Sequence, residues 1–236
     1  MKAIYKRELK SYFSTMTGYI FMTIFLLVGG LFFSSTNIMG EDANVTTVLY
    51  NLQYILLIIA PVLTMRLLAE ERKAKTDQML LTAPVSIRSI VTGKFFSALT
   101  VFVITLAVSF IYPVILSILG TPNWGEIMTG YLGLLFFGGA LISVGMFISS
   151  LTQSQVTAAV ATLGVMLAIL LAETMIPQIG NEFIRTTLSK STLSYNFYFF
   201  QRGIFSLPSI VYFFSFIIFF LFLTSRMIER RRWAKG

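Results

Sequence analysis

Six stretches of this sequence are each long and apolar enough to cross a lipid bilayer, and they leave little room for anything else. They run roughly over 17–36, 47–68, 94–119, 128–150, 156–176 and 208–225. A helix needs about 20 mostly apolar residues to span the hydrocarbon core. Inside that core every backbone N–H and C=O must be satisfied by the chain itself, which a helix does within one segment. The expected fold is therefore an all-α integral membrane protein of six transmembrane helices, with residues 1–236 forming one transmembrane domain. Composition agrees: 56% of the chain is hydrophobic and 12% charged, against about 25% charged in a soluble domain. The first run follows a charged start, as a signal peptide would. It is long from Gly18 to Phe33, however, and no small-x-small cleavage pattern follows, so it reads as a retained span.

The positive charge is placed unevenly. With the N-terminus inside, the cytoplasmic segments hold fifteen of the eighteen lysines and arginines, and only Arg185, Lys190 and Arg202 fall outside. Such a bias sets orientation, so both termini are expected in the cytoplasm. The acidic pair Glu41 and Asp42 falls in the first outer loop. The net charge of +8 then reflects topology, and no nucleic-acid partner is expected.

Two segments outside the spans carry a pattern. In 1–16, Tyr5, Leu9, Tyr12, Phe13 and Met16 share one helical face flanked by Lys2, Lys6 and Lys10. That fits a helix lying in the inner interface with its lysines reaching the lipid headgroups; a frayed basic tail is the alternative. In 177–207, between Pro177 and Pro208, Ile179, Phe183, Ile184 and Leu188 can share a face, and Tyr195, Phe197, Tyr198, Phe199 and Phe200 cluster. One or two short helices dipping into the outer leaflet would suit these residues. A surface amphipathic helix suits them equally.

Catalytic sets are missing from the sequence. There is no cysteine and no histidine. "TGKFF" at Thr92–Phe96 lacks the upstream glycine and the hydroxyl residue of a phosphate-binding loop. Within the spans the polar candidates are Asn51, Gln53 and Glu173, which could line a path or bond a neighbouring helix. Span four carries Gly130, Gly133, Gly138, Gly139 and Gly145, and span five adds Ala158, Ala159, Ala161 and Gly164. Small residues of this kind let helices approach closely and suggest a tight bundle, in which helices could slide. Pro61 and Pro113 predict kinks.

The dense charge of 69–93 is foreign to so apolar a chain. Glu71 with Lys75, and Lys73 with Asp77, stand at i, i+4 and support an exposed helix. Arg72, Thr76, Met79, Leu80 and Ala83 form one stripe that ends apolar, and Pro84 closes the segment. Ser86 can cap the helix that follows. The apolar tip could lie on the membrane or fit a groove in a partner protein.

The run "EERKAKTDQMLLTAPVSIRSIVTGKF" resembles the loop between the second and third spans of ABC-2-type ABC transporter permeases. The tail "YNFYFFQRGIFSLPSIVYFFSFIIFFLFLTSRMIERRRW" is similar to their C-terminal end. Within that family the gliding-motility-associated (GldF-like) permease group is the nearest in pattern. The resemblance implies a permease subunit of an ATP-driven exporter in the bacterial cytoplasmic (inner) membrane. It implies no enzyme activity and no cofactor in this chain, with ATP and Mg bound by a partner. The partners would be two copies of an ABC ATP-binding subunit, a second permease chain (the same or a paralogue) and membrane lipids. Segment 69–93 would then be the coupling loop, with Glu70, Glu71, Arg72, Thr76, Met79, Leu80 and Pro84 as its contact residues. Segment 177–207 would be a re-entrant cap. Two other functions fit the bare sequence: a stand-alone ion-coupled transporter or channel, for which Glu173 is the one coupling candidate, and a scaffold anchoring a cytoplasmic partner.

Overall fold

The computed structural model describes residues 1–40, 44–73 and 86–234, with side chains as far as Arg230. The described residues are helical and include no strand. In order they form α1 (Lys2–Ser14), α2 (Thr17–Phe33, continued by one π turn at Ser34–Ile38), α3 (Thr46–Thr64), α4 (Ala69–Lys73), α5 (Ile87–Ser109) and α6 (Ile111–Leu119). There follow α7 (Trp124–Leu151), α8 (Gln155–Met175), α9 (Glu182–Lys190), α10 (Leu193–Gln201) and α11 (Leu207–Ala234). Six stretches are long and apolar enough to cross a membrane: Thr17–Ile38, Thr46–Lys73, Ile87–Leu119, Trp124–Leu151, Gln155–Gln178 and Leu207–Arg230. Each coincides with an expected span. The third begins at Ile87, well before 94, because Ser86 caps its start by accepting from the Ser89 N–H at 3.3 Å and Lys94 is absorbed into the helix.

The core is built around α7, which packs on α3, α5, α8, α10 and α11. Of its most apolar window 78% is buried, against 11% for α8 and 17% for the span in α11, so α7 is the axis and the other two are periphery. The glycines explain how one helix serves so many neighbours. A Cβ at Gly138 would run into the ring of Phe102, one at Gly133 into Phe200, and one at Gly145 into Thr64. The small residues therefore act as pits filled by bulky side chains from three other helices. The tight bundle that these residues suggested is present on α7. On α8, by contrast, Gly164 has nothing near it.

Proline interrupts the third span as expected, and its consequence is visible. Helix α5 ends at Ser109 and α6 restarts at Ile111. Pro113 has no N–H to give to the Ser109 carbonyl four residues back. Tyr131 of α7 takes that carbonyl instead, its hydroxyl donating at 2.9 Å. The break is thus sealed from the core side.

The segment 1–16 is helical as the face pattern required, but its face is turned on protein. Tyr12 is buried, Leu9 and Phe13 pack against the core, and α1 lies along α5. Met16 stands outside the helix with φ 60° and is exposed. In the 177–207 segment, α9 buries no residue, and Phe183, Ile184 and Leu188 are exposed. The aromatic cluster divides: Phe197 and Phe200 are fully buried against α7, while Tyr198 faces outward.

Candidate functional site

The charged segment enters through a deliberate break. Helix α3 stops at Thr64 and residues 65–68 form a turn before α4. A helix end leaves carbonyls and, after a turn, N–H groups without partners. Four of them are collected by side chains from elsewhere. The Tyr12 hydroxyl donates to the Leu63 carbonyl at 2.7 Å. Ser149 of α7 accepts from the Leu68 and Ala69 N–H groups, both at 3.1 Å, and donates to the Met65 carbonyl at 3.1 Å. One serine thus substitutes for the missing helical turn.

Three charged side chains at this root come from the expected set. Arg72 donates to the Ser150 carbonyl at 3.2 Å and to the Thr152 carbonyl. These are the last carbonyls of α7, where a cation also meets the negative end of the helix dipole. Glu70 pairs with Arg66 at 3.0 Å. Glu71 is held by Arg7 at 2.6 Å and by Lys94 at 3.0 Å. Its expected partner, Lys75, lies outside the described residues, as do Thr76, Met79, Leu80 and Pro84.

Glu71 belongs to a larger unit. Lys94, only 1% exposed, also meets Glu8 at 3.1 Å, and Glu8 meets Arg7 at 2.8 Å. Two cations and two anions from α1, α4 and α5 therefore close into a neutral quartet. Neutrality is what allows a lysine to be this buried, because an unpaired buried charge costs several kcal/mol. Burial alone would push the Glu8 carboxyl up. The Lys94 charge and the hydrogen bonds from Arg7 and Lys94 outweigh it, and hold Glu8 below the usual glutamate range. Burial works against the Arg7 cation, and the two carboxylates more than offset this and raise its pKa.

Arg66 adds a second tie. Its guanidinium donates to Thr17 at 2.7 Å, to Ser11 at 2.6 Å and to Thr15, and lies 5.5 Å from the Tyr12 ring. The linker between α1 and α2 is thereby fastened to the end of α3. Taken together, both stems of the 69–93 segment are bonded to α1, and the first stem is also bonded to α7. A displacement applied to the segment reaches all of them.

The sequence pointed to Glu70, Glu71 and Arg72 and missed Arg7, Glu8, Arg66, Lys94 and Ser149. One signal was present. Lys94 interrupts an otherwise apolar helical run, and an ionisable residue there calls for a named partner. The remaining candidates do not converge. Gln53 is buried with no hydrogen-bond partner for its Oε1, and Asn51 is half-buried. Gly138 is occupied by Phe102, and Gly139 meets Ile217. Glu173 accepts from the Ser194 hydroxyl at 2.5 Å and from the Ser194 N–H at 3.3 Å. It caps the first turn of α10, which is a structural use.

A family model described as ABC-2 family transporter protein matches residues 3–198. The match takes in α1, the quartet, both stems of the charged segment and all of α7. No curated protein matches the chain.

Proposed function

The chain belongs to the ABC-2 transporter family, and from that membership we propose that it is the transmembrane permease subunit of an ATP-driven exporter. It is a multi-pass membrane protein whose family associates with an ABC ATP-binding subunit. In our reading two copies of that subunit bind ATP and Mg, hydrolyse the ATP, and dock on the segment 69–93 at the cytoplasmic face of a bacterial inner membrane. Met79 and Leu80 enter the partner's groove, with Thr76 and Pro84 beside them. A second permease chain completes the path, and the exposed faces of α8 and α11 are the surfaces available to it. The exposed apolar side chains of α9 rest in the outer leaflet. The finer likeness to the gliding-motility-associated group rests on the loop and tail sequences.

The observation that carries this reading is the quartet at the loop root. A segment that merely floated on lipid would have no use for a buried lysine gripping both stems. A segment that is pushed needs its stems bonded to the helices that move. The test is to co-express the chain with its neighbouring genes, purify it in detergent and measure vanadate-sensitive ATPase activity in what accompanies it. A stoichiometric ATPase, lost on Met79→Asp with Leu80→Asp while the chain is expressed at its usual level, is the expected result. Flux driven by an ion gradient through the chain alone would overturn the reading in favour of a secondary transporter.

A further inference from the structure

At the same end as the quartet, but on the opposite side of α5 from α1, helices α5 and α11 leave a groove of about 260 Å³ between them. Arg88, Val91 and Thr92 line it from α5 at i, i+3 and i+4; Ile218, Phe222 and Arg226 line it from α11, again one turn apart. The two helices run in opposite directions, so both arginines fall at one end and the apolar side chains deeper in. Ile218 is 62% exposed and Phe222 51% exposed, so the groove is open sideways to what surrounds the spans.

The charge at its mouth is unbalanced. Arg226 pairs with Glu229 at 3.1 Å and stands over the Phe222 ring at 5.1 Å. Arg88 is exposed, and among the described residues its guanidinium has no carboxylate and no hydrogen-bond partner. Two guanidinium groups against one carboxylate leave a net charge of +1. A guanidinium is a fork matched to phosphate oxygens. The apolar floor, open to what surrounds the spans at Ile218 and Phe222, suits a stretch of acyl chain.

We propose that this groove binds one anionic phospholipid of the bilayer, with the phosphate held between Arg88 and Arg226 and one acyl chain laid over Ile218, Leu221 and Phe222. The proposal requires that the chain spans a bilayer and not that it transports anything. A phospholipid seated there ties α5, which carries Lys94, to α11 at headgroup level, so membrane composition reaches the quartet through one helix.

The chain purified in detergent is titrated with phosphatidylglycerol and, separately, with phosphatidylethanolamine, and bound lipid is counted by native mass spectrometry. Phosphatidylglycerol is expected to be retained at one site, and phosphatidylethanolamine more weakly. Arg88→Gln and Arg226→Gln should each weaken phosphatidylglycerol about fivefold, the worth of one basic residue beside an anionic headgroup. Arg88→Gln should leave the melting temperature of the lipid-free chain unchanged, since among the described residues Arg88 has no partner to lose. Ile218→Trp keeps both arginines and fills the groove, and should also reduce binding. Lys2→Gln with Lys6→Gln, on the exposed side of α1, should not. Equal retention of the two lipids would overturn the proposal, as would unaltered phosphatidylglycerol binding in Arg88→Gln with Arg226→Gln.

Discussion

The two ends of this bundle are held by different chemistry. At the basic end α1, α4 and α5 meet through Arg7, Glu8, Glu71 and Lys94, all long side chains with charged tips. At the far end α10 meets α7 through Phe197 and Phe200, rigid rings set into the space left by Gly133. A ring in a pit has one position. Carboxylates and ammonium groups on flexible stems can exchange partners while staying paired, so elements can shift by a fraction of a turn without losing the interaction. The end bonded by charge can thus tolerate a small shift of its elements, and the end packed by aromatics cannot.

The comparison can be broken at its strongest point first. Lys94→Met leaves Glu8 and Glu71 sharing Arg7 in a buried setting, and should cost about 3–5 kcal/mol. Adding Glu8→Gln should recover part of that loss, read as a rise in melting temperature of the double variant over the single. If Lys94→Met melts like the parent, the quartet is not holding the joint. At the far end Phe200→Ala empties the pit, and should cost about 3 kcal/mol by the cavity rule. A methyl group supplied by Gly133→Ala in that background refills some of the space and should restore some stability; the same Gly133→Ala alone should destabilise. Such rescue distinguishes a packed contact from a charged one, which no methyl group repairs. The smallest effect concerns pH. Glu8 is depressed in the folded chain, so its contribution is present above its unfolded value and is lost as pH falls through the folded one. Comparing melting temperatures of the parent and Glu8→Gln, the gap should hold from neutral pH down to the ordinary glutamate range, narrow as pH falls through that range and close below it. Phe200→Ala should show no such closing gap relative to the parent.

The sequence disclosed the spans because their signal is local: twenty apolar residues in a row need no partner to be recognised. It disclosed that Glu70, Glu71 and Arg72 are unusual for the same reason, as charge amid oil. What it concealed is pairing across distance. Glu8 and Lys94 meet although 86 positions separate them, and no periodicity encodes that. The aromatic cluster misled in the same way. Tyr195 to Phe200 reads as an interfacial belt, and only the placement of Gly133 on another helix shows that two of its rings belong in the core. The glycines signalled close approach of helices, but composition cannot tell which side chain fills each notch.

That last point has a mechanical consequence. Gly133, Gly138 and Gly145 span just over three turns of α7, about 18 Å at 1.5 Å per residue, and each admits a side chain from a different neighbour. The helix is keyed like a shaft with three slots, cut at different heights and angles. Axial travel would have to withdraw all three keys at once, and rotation would shear them. Helices α3, α5, α7 and α10 are therefore locked together as one packed unit. The seam along α8 has no such key: Ala158, Thr162 and Met166 are its buried residues, and Gly164 lies on the exposed side of the helix.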